Sequence, residues 1–133
     1  MQRLWELAHA LDVRSKDMAK TIGVTSPQRL VVRIIGQVPE ATASTIAHTL
    51  SMHPSTLTGV LTRLERHGLI TRTPDVEDRR RVRFRLTAEG KRIDRERKGT
   101  VEAAVRRTLQ RTTANQVDGT LALIAILVEE LAR

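Results

Sequence analysis

The sequence predicts a mainly α fold with one small β-hairpin. Apolar residues recur at helical spacing along most of the chain, as in Leu57, Val60, Leu61 and Leu64 at i, i+3, i+4 and i+7. One short stretch changes period. Val82, Phe84 and Leu86 alternate with Arg81, Arg83 and Arg85, the pattern of a half-buried strand. Start and stop signals divide the rest into separate helices.

Residues 2–22 read as a long helix with Leu4, Leu7, Leu11 and Met18 on one face and Trp5, Ala8 and Ile22 beside it. Gly23 is the expected stop. Ser26 before Pro27 reads as an N-cap with proline at the first helical position. That helix holds Leu30, Val31, Ile34 and Ile35 and is expected to end near Gly36, ahead of Pro39. Thr42 caps a short helix to Leu50 with Ile46, Ala47 and Leu50 inward. Ser51, Met52 and His53 form a tight connection to a helix opened by Pro54 and closed at Gly68. Leu69–Thr73 and the alternating segment 82–86 are the two strands, joined by a polar tip from Pro74 to Arg80.

Thr87 caps the next helix, and Glu89 in its first turn suits the helix dipole. It is expected to run through the charged stretch Lys91–Lys98 to about Gln110, burying Ile93, Val101, Val105 and Leu109. Thr113 and Gln116 form a capping box for a last helix with Val117, Leu121, Leu123, Ile124, Ile126, Leu127, Val128 and Leu131. That helix is apolar over most of its circumference, so it needs cover on several sides. In a chain of 133 residues, a second copy supplies that cover most easily.

Composition narrows the function. The net charge is +8, and Arg72, Arg79, Arg80, Arg81, Arg83 and Arg85 crowd one segment against Asp75, Glu77 and Asp78. Such an excess favours a polyanion partner. Trp5 and Phe84 are the only aromatics, too few to stack single-stranded bases. There is no cysteine, which removes disulfides, thiol sensing and cysteine-ligated zinc. His9, His48, His53 and His67 form no close ligand pair, so neither a metal site nor a cofactor is expected. No nucleophile elbow, phosphate loop or dinucleotide fingerprint is present, which argues against an enzyme. No apolar run spans a bilayer and the N-terminus is no signal peptide, so no membrane partner and a cytoplasmic location are expected.

The helix from Pro54 to Gly68 carries Ser55, Thr56, Thr58, Gly59, Thr62 and Arg63 opposite its apolar stripe. A slim polar face of this kind fits a DNA major groove. The segment Asp17–Arg29 also looks like a helix-turn-helix, but the helix after it holds Leu30, Val31, Val32, Ile34 and Ile35, too apolar for a groove, and is read as scaffold.

Three pieces in order then carry a resemblance: Pro54-Ser55-Thr56-Leu57-Thr58, Leu64-Glu65-Arg66-His67-Gly68-Leu69-Ile70, and Asp75-Val76-Glu77-Asp78-Arg79-Arg80, followed by Leu86-Thr87-Ala88-Glu89-Gly90. The chain resembles the MarR family of transcription regulators over almost its whole length. The resemblance implies a single domain over 1–133, mainly α with a small β-wing. A winged helix-turn-helix at about 27–87 would be flanked by N- and C-terminal dimerisation helices at about 2–22 and 88–132. It further implies a homodimer on a pseudo-palindromic double-stranded DNA operator, more often a repressor than an activator.

Ser55, Thr56 and Thr58 would meet bases or the phosphates beside them, and Gly59 would allow close approach. Ser44, Thr45, Thr62, Arg63, Arg79 and Arg81 would mostly touch phosphates. Arg80 would enter the minor groove, held by Asp78. Family members are commonly released by small ligands, and by position Trp5, His9, Met18 and Arg29 are the candidates for such an effector site. Two other readings stay open: a winged helix serving as a protein-interaction module (an antirepressor), and a non-specific DNA-packaging protein.

Overall fold

The computed structural model describes residues 1–78 and 80–133. The chain forms two compact units, residues 1–100 and 101–133.

The first unit begins with α1 (Gln2–Thr21), which ends at Gly23 with φ +92°. Met18 is its buried anchor, while Leu4, Trp5, Leu7 and Leu11 remain exposed. Helix α2 (Ser26–Gln37) starts one residue earlier than expected. Thr25, not Ser26, is its N-cap, because Thr25 and Gln28 close a reciprocal capping box and Pro27 tolerates the second position as well as the first. Val31, Val32 and Ile35 enter the core from α2, whereas Leu30 faces outward. That burial makes α2 the central scaffold helix, as its apolar character requires.

A short strand β1 (Ala41–Thr42) then precedes α3 (Ala43–Leu50), capped by Thr42. Ser51 turns the chain in the left-handed region, φ 48° and ψ 39°, and α4 (Pro54–Arg66) follows, capped by His53. Leu57, Leu61 and Leu64 bury one stripe of α4 against the core. Strands β2 (Ile70–Pro74) and β3 (Val82–Leu86) make the hairpin. The sheet has three strands, not two, in the order β1-β3-β2, with Ala41 opposite Phe84 and Arg72 opposite Phe84 from the other side. Phe84 therefore sits buried at the centre of the sheet, which pins the hairpin to the helices.

Helix α5 (Ala88–Arg95) is capped by Thr87, whose hydroxyl accepts from Gly90 N and donates to Gly68 O at 2.6 Å. The expected continuous helix to Gln110 is broken here. The chain leaves helical geometry at Glu96, Gly99 takes φ +74°, and α6 (Val101–Leu109) starts afresh. Buried Arg29 accounts for the stop. Its guanidinium donates to Ile93 O at 2.6 Å and to Glu96 O, satisfying carbonyls that a further helical turn would have used. Arg33 adds an ion pair to Asp94 at 3.0 Å.

The second unit holds α6 and α7 (Ala114–Leu131), the latter opened by the Thr113–Gln116 capping box. Neither helix buries a residue within the single chain. Leu121, Leu123, Ile124, Ile126, Val128 and Leu131 are all exposed, as are Val105 and Leu109 on α6.

Candidate nucleic-acid interface

Helix α4 presents its polar face to solvent. Ser55, Thr56, Thr58, Gly59, Thr62 and Arg63 are all exposed, and so are Ser44 and Thr45 on α3. A cleft of about 600 Å³ opens between α3, α4 and the hairpin, lined among others by Ser44, Thr45, Thr58, Arg72, Arg80 and Arg81. Of the outward residues of α4, Thr58 lines this cleft, where it meets Ser44 and Thr45 of α3 and the arginines Arg72, Arg80 and Arg81 on one concave, basic surface. Arg79 lies outside the described residues.

The hydroxyls of α4 are not idle. Thr58 Oγ1 donates to Pro54 O and Thr62 Oγ1 to Thr58 O, each at 2.9 Å. Ser55 Oγ lies 2.7 Å from His53 Nδ1, which also accepts from Ser55 N. Gly59 has nothing within 4 Å of where a Cβ would stand, and its φ is not positive. Neither crowding nor backbone conformation demands a glycine at this place, where it costs the helix about 1 kcal/mol relative to alanine.

At the wing tip Asp78 acts differently from the expectation. Its carboxylate accepts from the Arg80 backbone N–H at 3.0 Å and pairs with the Arg81 guanidinium at 3.6 Å. Asp78 therefore shapes the turn that carries Arg80, whose side chain is exposed. Behind the tip, Asp75 is only 5% exposed. Its Oδ1 accepts from Glu77 N at 2.8 Å, and its Oδ2 takes Arg83 Nε at 2.7 Å. Arg83 also reaches Glu40, and Glu40 pairs with Arg85.

Hydrogen bonding from the Glu77 N–H, then from Arg83, holds the Asp75 carboxyl below its ordinary range. The Arg85 guanidinium does the same for Glu40, and Asp75 raises the pKa of Arg83. Glu40 takes φ 59°, a costly conformation for a side-chain-bearing residue, at the turn that places its carboxylate between two arginines.

The alternation in 82–86 places Arg83 and Arg85 on the outward side of the strand. The structure corrects this: Arg83 is half-buried and, with Arg85, braces the wing against the helix-turn-helix. Only the Asp75 half of that brace had a local signal, a carboxylate two residues before the N–H it caps. Arg66 was not among the expected contacts. It is exposed at the end of the line Ser55, Gly59, Thr62, Arg66, whose spacing i, i+4, i+7, i+11 marks one helix face.

The four effector candidates do not converge. Met18 is core, with its sulfur 3.5 Å from Ser26 Oγ. Arg29 is buried on the carbonyls at the end of α5. Trp5, 72% exposed, and His9 lie on the open part of α1. Among the described residues, no group of three or more His, Cys, Asp or Glu side chains could hold a metal. No helix among them is long and apolar enough to cross a membrane.

A scaffold of this order, with a polar helix and a basic wing sharing one cleft, defines a winged helix-turn-helix regulator. The sequence model of the MarR family matches residues 24–82. An HTH-type transcriptional repressor of Mycobacterium tuberculosis is 32% identical over 95 residues, covering 71% of this chain and 68% of the relative. The homoprotocatechuate degradative operon repressor of Escherichia coli is 29% identical over 102 residues, covering 77% and 69%. Among solved structures, the S. aureus MepR–DNA complex superposes with a TM-score of 0.82 at 18% identity, over 97% of this chain and 96% of that one. The PcaV transcriptional regulator from Streptomyces coelicolor, solved with its natural ligand, gives a TM-score of 0.75 at 26% identity, over 96% and 88%. This chain belongs to the MarR family.

Proposed function

We propose that the chain is a ligand-responsive transcriptional repressor that binds a pseudo-palindromic double-stranded operator as a homodimer. Residues 27–87 form the DNA-reading part, and helices within 2–22 and 88–132 hold the two copies together. The observation that carries this reading is the shared cleft: Ser44 and Thr45 of α3, Thr58 of α4 and Arg80 and Arg81 of the wing tip line one basic surface. Ser55, Thr56, Thr58 and Gly59 would lie against base edges, with Ser44, Thr45, Thr62, Arg63, Arg79 and Arg81 on phosphates. Arg80, carried on the turn that Asp78 shapes, would enter the flanking minor groove.

The apolar surface of α7, with no buried residue in the single chain, supports the dimer. Effector control rests on the family and on two similar proteins, one a homoprotocatechuate degradative operon repressor and one solved with its natural ligand. Trp5 and His9 are the effector candidates that remain accessible. The family is one of regulators rather than enzymes, and a DNA-bound regulator acts in the cytoplasm.

Selection of bound duplexes from a random pool tests this reading. A two-fold symmetric consensus is expected, bound at least about a thousandfold more tightly than random duplex. Equal affinity for all duplexes would make the chain a packaging protein, and no retained duplex would make it an interaction module.

A further inference from the structure

A recognition helix reads bases mainly with its N-terminal residues. From Pro54 to Thr62, α4 carries no Arg, Lys, Asn, Gln, Asp or Glu. Its polar groups there are hydroxyls, and most of their protons are already committed. Thr58 and Thr62 donate back to helix carbonyls, and Ser55 is engaged with His53. What these side chains still offer the outside is methyl groups, from Thr56, Thr58 and Thr62, oxygen lone pairs, and a single uncommitted hydroxyl proton, on Thr56.

Those offers suit one class of base pair. Guanine shows the major groove two acceptors, N7 and O6, which require donors. An A·T pair shows a C5-methyl on thymine and an amine on adenine N6, which match a methyl and a lone pair. The helix's cations, Arg63 and Arg66, follow this segment, in the C-terminal part of the helix. Gly59 lies between Thr58 and Thr62 with open space where its Cβ would be. The gap lets the helix backbone approach the groove floor closely enough for methyl groups to touch.

We propose that α4 selects an A·T pair beneath its N-terminal half, Thr58 packing its methyl on a thymine C5-methyl and Gly59 setting the depth of insertion. The proposal rests on the DNA-binding reading above and names what that site recognises.

The test uses the full chain and a duplex from the random-pool selection, with each half-site thymine replaced in turn by deoxyuridine. Loss of one contacting methyl lowers affinity about threefold to fivefold. Thr58→Ser, which keeps the hydroxyl and removes the methyl, shows the same loss on the thymine duplex and no further loss on the matching deoxyuridine duplex. Gly59→Ala raises the urea midpoint of the protein yet weakens specific binding at least tenfold. Unchanged affinity with deoxyuridine at every position, a selected half-site that is G·C under α4, or full affinity in Gly59→Ala overturns the proposal while leaving a specific DNA-binding protein in place. A chain that retains no duplex removes the DNA-binding reading and this proposal with it.

Discussion

Gly90→Ala is the sharpest test of how the wing is joined to the helices. A Cβ built at Gly90 stands 2.0 Å from Leu69 O, 3.1 Å from Leu69 C and 3.3 Å from Leu86 Cδ2. Helix α5 and the residue ahead of β2 must separate by about 1.4 Å to restore ordinary contact. Leu69 O is also the acceptor for Thr87 N at 3.1 Å, and Thr87 Oγ1 donates to Gly68 O at 2.6 Å. A shift of that size breaks both bonds, at roughly 1 kcal/mol each. Overpacking adds about 1–3 kcal/mol. Against this, alanine improves the helix by about 1 kcal/mol.

The balance is a loss of about 2–4 kcal/mol, which with a urea slope of about 2 kcal/mol per M lowers the midpoint by about 1–2 M. Circular dichroism through a urea titration at fixed protomer concentration reads it. The same substitution at Gly59, with open space around it, moves the midpoint the other way. A Gly90→Ala protein as stable as the parent would refute the close packing of α5 on Leu69.

Arg80→Ala should weaken operator binding by roughly 1–3 kcal/mol in a gel-shift titration while leaving the urea midpoint unchanged. Ile124→Glu should convert the protein to monomers in sedimentation equilibrium, since two unpaired carboxylates forced into a dimer interface cost roughly 4 kcal/mol or more. The Asp75 carboxyl sits below its ordinary value of 3.8 when folded. Its contribution to stability is therefore present above the unfolded value and lost as pH falls through the folded one. Wing proteolysis should be constant from pH 8 to about 5, rise only in stronger acid, and show a weaker acid dependence in Asp75→Asn, the remainder belonging to Glu40. Ser51→Gly, which relieves a left-handed serine at the turn between α3 and α4, should stabilise the fold by about 0.5 kcal/mol in urea titration.

What the sequence made legible was local. The i, i+3, i+4, i+7 stripe of α4 buried Leu57, Leu61 and Leu64 and left the polar face outside. Gly23 and Gly68 took positive φ at the helix ends they were expected to close. Alternation in 82–86 put Phe84 inward. The misses were contacts between distant residues. Nothing near Ile93 announces that its carbonyl is held by Arg29, 64 positions earlier, so the charged stretch read as unbroken helix. Strand β1 has two residues and no periodicity to detect. The role of Arg83 depends on Glu40, 43 positions away, so it could not be told from a free phosphate ligand. The apolar circumference of the last helix already pointed to a second copy and the polar face of α4 to a major groove; the family resemblance supplied the minor-groove role of Arg80 and the pseudo-palindrome.

The central claim is that two copies present α4 and the wing to adjoining grooves on one side of a single duplex. Hydroxyl-radical footprinting of the selected operator tests it most directly. Two symmetric protected patches, centred roughly 34 Å apart on one face, are expected. Flanking minor-groove protection should disappear in Arg80→Ala. A single asymmetric patch, or even protection along the whole duplex, would contradict the account.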